Sequence, residues 1–157
     1  DGPALDLADK LGLYGRFVGS WEMDVVRYQP DGKTLKGNGE IHFGWVLGGR
    51  AIQDVWIAPR RDSDFPPQMF GTTLRVYDPG IDAWHIIWSD PAKQYYSRQT
   101  GRADGNDIIQ TGTDARGENV RWRFTEITPD SFHWIGERSM DGQTWQTEVE
   151  FFARRVP

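Results

Sequence analysis

The chain predicts an all-β fold, ten antiparallel strands closed into an up-and-down barrel behind one short N-terminal helix. Three observations carry this. Segments of alternating polarity run from Gly15 to Arg155, and a period of two marks half-buried strands. Short turn signals such as Pro30-Asp31-Gly32-Lys33, Asp78-Pro79-Gly80 and Asp141-Gly142 punctuate them, with Gly accepting the positive φ that tight turns require. Nothing between the segments reads as a crossover helix, so sequence neighbours pair antiparallel and a parallel α/β fold is excluded.

The elements follow in order. Ala4 to Tyr14 reads as the helix (about 4–14), with Leu5, Ala8 and Leu11 on one face and Leu7 nearby. Asp6 and Asp9 sit early, where they favour the helix dipole. This helix is expected to act as a lid or plug. The strands are read over Phe17–Tyr28, Leu35–Leu47, Ala51–Ala58, Met69–Tyr77, Ala83–Trp88, Gln94–Arg102, Asp107–Thr113, Glu118–Ile127, Phe132–Ser139 and Thr144–Arg154. The barrel thus spans about 17–155, and one domain accounts for residues 1–157. The charged, proline-rich stretch Pro59 to Gln68 has no periodicity and reads as a mouth loop. Gly37-Asn38-Gly39 and Gly48-Gly49 read as bends rather than phosphate cradles.

Alternation also predicts an inside and an outside. Val120, Trp122 and Phe124 share a face opposite Arg121 and Arg123; Trp84, Ile86 and Trp88 oppose His85 and Ile87. Ile41, Phe43 and Trp45 oppose His42 and Gly44, and Phe132 and Trp134 oppose His133. Trp145, Val149 and Phe151 oppose Gln146, Glu148 and Glu150. On this parity the aromatics turn inward and the charges outward.

Composition narrows the function. Of 157 residues 38% are hydrophobic but 13% are aromatic, including eight tryptophans. Buried area must therefore come largely from rings, at about 150–250 Å² each, which suits a thin wall around an aromatic cavity. A net charge of −5 without a basic cluster argues against nucleic acid as a partner. No apolar run approaches the roughly 20 residues of a membrane-spanning helix. The absence of cysteine excludes disulfides, thiolate zinc sites and cysteine nucleophiles. The chain opens Asp-Gly-Pro without Met, which is compatible with a removed leader; cytoplasm is the default expectation.

Gly19-Ser20-Trp21, opening the first strand after a short helix, resembles the Gly-x-Trp signature of the lipocalin-like (calycin) barrels. In those barrels the Trp plugs the closed end. Trp45-Val46-Leu47-Gly48-Gly49-Arg50 is similar to the Leu-Gly-Gly-Arg segment of the bacterial DUF1579-type family of uncharacterised lipocalin-like proteins. Phe70-Gly71 through Tyr77-Asp78, Trp88-Ser89-Asp90, Gly101 with Asp104-Gly105, and Asp141 through Trp145 agree with it. This resemblance spans about Phe17 to Arg155 and implies a lipocalin-like barrel, without assigning an activity. Ten strands without a helical insertion are also similar to the nitrobindin haem barrels, which ligate haem through a histidine near the end of the last strand. Thr144 to Pro157 contains no histidine, and no cofactor is expected.

Candidate chemistry rests on four polar and four aromatic residues. Asp54, if it shares an inner face with Ile52 and Trp56, is a carboxylate in an aromatic cavity suited to general acid or base work; otherwise it braces the wall against an arginine such as Arg50 or Arg98. Tyr96 and Arg98 face the same way and could bind an oxyanion from inside, or form outward cross-strand pairs. His133, on the same strand face as Glu137, is a candidate proton carrier or a surface histidine. His42, His85 and His133 lack close ligand spacing, and no metal is expected. Trp21 is expected to fill core, whereas Trp56, Trp88, Trp122 and Trp134 are expected to border an open cavity.

The expected function is binding of a small hydrophobic or aromatic molecule in the barrel mouth. The alternative is a cofactor-independent cyclase, isomerase or lyase using the same cavity, with Asp54 or His133 moving the proton and Tyr96 and Arg98 stabilising an oxyanion. A homodimer would use outward apolar residues, for which Ile87, Ile135 and Phe152 are the candidates.

Overall fold

In the computed structural model, which describes residues 2–64 and 68–157, the ten strands close into one barrel. They are β1 (Gly19–Tyr28), β2 (Thr34–Val46), β3 (Ala51–Ala58), β4 (Met69–Asp78), β5 (Ala83–Asp90), β6 (Tyr95–Asp104), β7 (Asp107–Asp114), β8 (Asn119–Thr125), β9 (Ser131–Ser139) and β10 (Gln146–Arg155). Each pairs antiparallel with the next, and β1 closes on β10 through Trp21 opposite Arg155 to Arg27 opposite Val149. Closure leaves no sheet edge to satisfy. The expected strands thus stand, with ends displaced by a few residues.

The N-terminal segment is a turn of 3-10 helix over Leu5–Leu7 followed by α1 (Ala8–Gly15). The break between them corrects the expected single face: Leu5 is exposed, while Leu11 and Tyr14 are buried. α1 stoppers the end where Phe17, Trp21, Phe43, Trp84, Phe124 and Phe132 pack as edge-on and tilted rings. Edge-on contact suits ring quadrupoles better than face-to-face stacking. Trp21 is core as expected, its indole donating to the Phe17 carbonyl at 2.8 Å, with the Arg155 guanidinium 4.2 Å over its ring. The Leu47–Arg50 segment also lies at this end. It receives the Ala4 N–H at the Gly49 carbonyl (3.0 Å), and Arg50 pairs with Asp6 (3.1 Å).

The opposite end carries the β1–β2, β3–β4, β5–β6, β7–β8 and β9–β10 connections. The expected mouth loop Pro59–Gln68 is the β3–β4 connection at this end; its residues 65–67 lie outside those described. The last connection is built around Asp141. Its Oδ1 accepts the N–H of Thr144 (2.7 Å) and Gln143 (2.8 Å) and the Ser139 hydroxyl (3.0 Å). Those bonds, the Thr144 and Gln143 amides first, hold the carboxyl well below its usual range. A depressed carboxylate contributes stability that is fully present above its unfolded value, about 4, and is lost as pH falls through the folded value. Thermal melts from about pH 6 down to about pH 2 should therefore lose less stability in Asp141→Asn than in the parent. Equal pH slopes in the two proteins would contradict this role.

Among the described residues no helix is long and apolar enough to cross a membrane. The outward apolar residues do not form one face. Ile87 is on β5, while Ile135 and Phe152 are on β9 and β10, which the strand order places across the barrel.

Candidate functional site

Halfway along the barrel the packed rings give way to a buried polar layer. Its centre is Arg75 on β4, 1% exposed, whose Nε donates to Asp54 Oδ2 at 2.8 Å. Asp54 Oδ1 accepts the Trp56 indole N–H (2.7 Å) and the Thr73 amide (3.1 Å). Arg75 Nη1 donates to Gln110 Oε1, which also accepts the Tyr14 hydroxyl (2.7 Å), and Gln110 Nε2 donates to Gln99 (3.2 Å). The guanidinium lies 4.8 Å from the Tyr14 ring and 5.4 Å from the Phe124 ring, a desolvated cation held by ring faces as well as by its carboxylate. Burial pushes the Tyr14 phenol well up, so it remains a donor.

Above this layer the barrel is open. A cavity of about 410 Å³ runs to the mouth, within the range of small-molecule sites, about 300–1,000 Å³. Arg75 and Thr73 form its floor; Trp56, Trp88, Trp122, Trp134, Phe151 and Met69 line its wall. The rings form a continuous surface. Trp88 meets Trp122 edge-on at 6.0 Å, Trp122 meets Trp134 at 5.4 Å, and Phe151 stacks on Trp134 at 4.8 Å. Two glycines make room for them. A Cβ on Gly71 would collide with the Trp88 ring, and one on Gly136 would lie 2.8 Å from that of Trp134. Most indole N–H groups this deep find an acceptor. Trp56 has Asp54, whereas Trp134 Nε1 is buried without a partner.

The mouth is charged. Arg27, Lys93, Arg116, Arg138, Asp90, Glu148 and Tyr95 border it. Arg138 pairs with Glu118 (2.9 Å) and Glu148 (3.1 Å). Burial pushes the Glu148 carboxyl up, against the pull of Arg138. Asp90 receives the amides of Ala92, Lys93 and Phe70 at 3.0 to 3.3 Å, and Asp114 those of Arg116 and Glu118 at 2.9 and 3.1 Å. Those carboxylates fix turns. Tyr95 donates to Asp114 at 3.3 Å, and its phenol is pushed well up by burial first and then by that carboxylate.

The eight expected site residues divide between the two sides of the wall. Trp56, Trp88, Trp122 and Trp134 are brought together in the cavity. Asp54 is directly beneath it, but its partner is Arg75 rather than Arg50 or Arg98, and both its oxygens are taken. Tyr96 and Arg98 are outside, correcting the expected inward pair. The inward parity of β6 belongs to Ser97 and Gln99, leaving Tyr96 on Gln94 (2.9 Å) and Arg98 on His85 (3.2 Å). His133 is also outside. It stacks on Phe152 at 4.4 Å and bonds Glu150 at 2.9 Å rather than Glu137, which is held by Arg121 and Arg123. Trp145 is likewise outside, under the Arg121 guanidinium at 4.2 Å. Glu148 is the reverse case: a bulge between Thr147 and Val149 turns this nominally outward residue into the mouth. Among the described residues no three His, Asp or Glu side chains group to hold a metal ion.

The sequence reading missed Arg75 altogether. Its neighbours Leu74 and Val76 invite an inward assignment, which would put Arg75 outside. The available signal was the inner-face series Thr73, Gln99 and Gln110, whose polar ends need a partner inside the wall.

No protein-family model and no curated protein matches the chain. Solved structures do. The crystal structure of Rv2717c from M. tuberculosis superposes with a TM-score of 0.68 at 17% identity, over 97% of this chain and 100% of that one. The S-type phycobiliprotein lyase CPES from Guillardia theta superposes with a TM-score of 0.66 at 14% identity, over 99% of each chain. At these identities the likeness is one of fold.

Proposed function

We propose that the barrel binds a small hydrophobic or aromatic molecule between Trp56, Trp88, Trp122 and Trp134. The observation carrying this reading is the aromatic cavity itself. Four tryptophans and Phe151 leave about 410 Å³ unfilled above a fully packed lower half. Dense interiors rarely leave such space, and an apolar pocket with a few convergent polar groups is the usual form of a ligand site. Asp54 acts as a positioning residue, holding the Trp56 indole and the Arg75 guanidinium. The alternative acid–base enzyme finds little support. Asp54 is fully bonded, and Tyr96, Arg98 and His133 lie on the outer wall. That one structural neighbour is a phycobiliprotein lyase is compatible with a barrel that handles a small molecule. Membership of the DUF1579-type family is part of the proposal and rests on the Leu47-Gly48-Gly49-Arg50 segment.

Isothermal titration with pyrenebutanol, a neutral aromatic probe, tests the reading. The expected result is saturable binding of one equivalent with a negative heat-capacity change, the mark of apolar burial. Absence of saturable binding would overturn it.

A further inference from the structure

The charges at the mouth are unevenly paired, and this indicates the chemistry of the occupant. Arg138 takes two carboxylates, Glu118 and Glu148, while Asp90 and Asp114 are engaged by turn amides. Among the described residues, Arg116 rests over the Tyr95 ring at 5.9 Å, and Arg27 and Lys93 consequently have no ion pair and no side-chain hydrogen bond, although both border the cavity. Arg27 is half-buried on the inward parity of β1, following Trp21, Met23 and Val25. Lys93 projects from the β5–β6 turn, exposed overall. They act on each other: burial and then Arg27 lower the Lys93 ammonium, and burial lowers the Arg27 guanidinium, with Glu148 and Asp90 opposing only in part. Two cations without an ion pair at one opening are unfavourable in the empty protein. They become favourable once an anion sits between them.

Resting on the binding reading above, we propose that the occupant is a hydrophobic monocarboxylic acid, its body among the tryptophans and its carboxylate between Arg27 and Lys93. A guanidinium offers a donor fork that matches a carboxylate, and Lys93 supplies a point charge beside it. Glu148 and Asp90 border the same opening and repel a dianionic phosphate more than a monoanion.

Pyrenebutyrate and pyrenebutanol share a ring and a chain length and differ at the head group, so their ratio of affinities isolates the charge. Pyrenebutyrate is expected to bind about tenfold or more tightly, as a charge-assisted bond allows. Its affinity alone should fall with added salt. In Arg27→Gln/Lys93→Gln the ratio of the two affinities should shrink to about threefold or less. Equal affinity for the two probes in the parent protein, or a preference that survives the double substitution, would overturn the proposal while leaving the binding reading intact. Failure of both probes to bind the parent would overturn both. Pyrene phosphate binding more tightly than pyrenebutyrate would replace the carboxylate with a phosphate head group and so also overturn it.

Discussion

Asp54→Ala is expected to lower the unfolding free energy by about 3–5 kcal/mol, the cost of stranding one partner of a buried ion pair. Both side chains of the pair are buried, 0% and 1% exposed. The substitution would leave the Arg75 charge with only Gln110 and ring faces, and would release the Trp56 indole and the Thr73 amide together. Arg75→Met should cost a comparable amount, because it leaves the Asp54 carboxylate with two neutral donors. Asp54→Leu/Arg75→Met should lose less than the sum of the two single changes, since an apolar pair of matched bulk removes both uncompensated charges. Urea denaturation followed by tryptophan fluorescence measures all of these. A loss below about 1 kcal/mol in Asp54→Ala would place the pair among weak, solvated ion pairs and contradict the buried layer.

The second large effect concerns binding. Trp122→Ala should weaken pyrenebutanol by about 10–30-fold, the range for truncating an aromatic anchor. Trp122 suits the test because it is only half-buried, between Trp88 at 6.0 Å and Trp134 at 5.4 Å. Its removal takes a wall from the cavity while leaving the packed lower half intact. Trp145→Ala is the matched control. That ring lies outside, against Arg121, and its loss should leave affinity unchanged. Titrations of the two variants beside the parent decide the matter. Equal weakening in both would point to an outer-wall site.

Much of the barrel was legible because short turns and alternation are local signals. Asp78-Pro79-Gly80 and Asp141-Gly142 mark chain reversals whatever the rest of the fold does. In β8 the apolar alternation is clean, and in β5 only the outward Ile87 breaks it, so Trp88 and Trp122 could be assigned inward by parity. Parity failed where the inner face turns polar. In β4 the inward residues include Thr73 and Arg75, and the outward ones Phe70, Leu74 and Val76; hydrophobicity there runs against the wall. In β6 the inward Ser97 and Gln99 carry no apolar label, so Tyr96 and Arg98 could be placed on either side. Glu148 depends on a bulge, which arises from pairing with β9 and leaves no mark in β10 alone. The Arg75–Asp54 pair joins residues 21 apart in sequence through the β3–β4 register, and only the assembled sheet sets that register.

The polar layer links the fold to the proposed function. Without it, the packed rings of the closed end would meet the cavity directly, and nothing would fix the Trp56 indole or set the depth of the floor. With it, the lower half is filled by buried rings and the upper half holds the cavity, each with its own stabilising contacts.

The most direct measurement is a crystal structure of the protein with pyrenebutanol bound. Ring density is expected inside the barrel, in contact with Trp88 and Trp122 and above Arg75. Density only on the outer wall, beside Ile87 or Phe152, with the cavity filled by rearranged tryptophans, would contradict it.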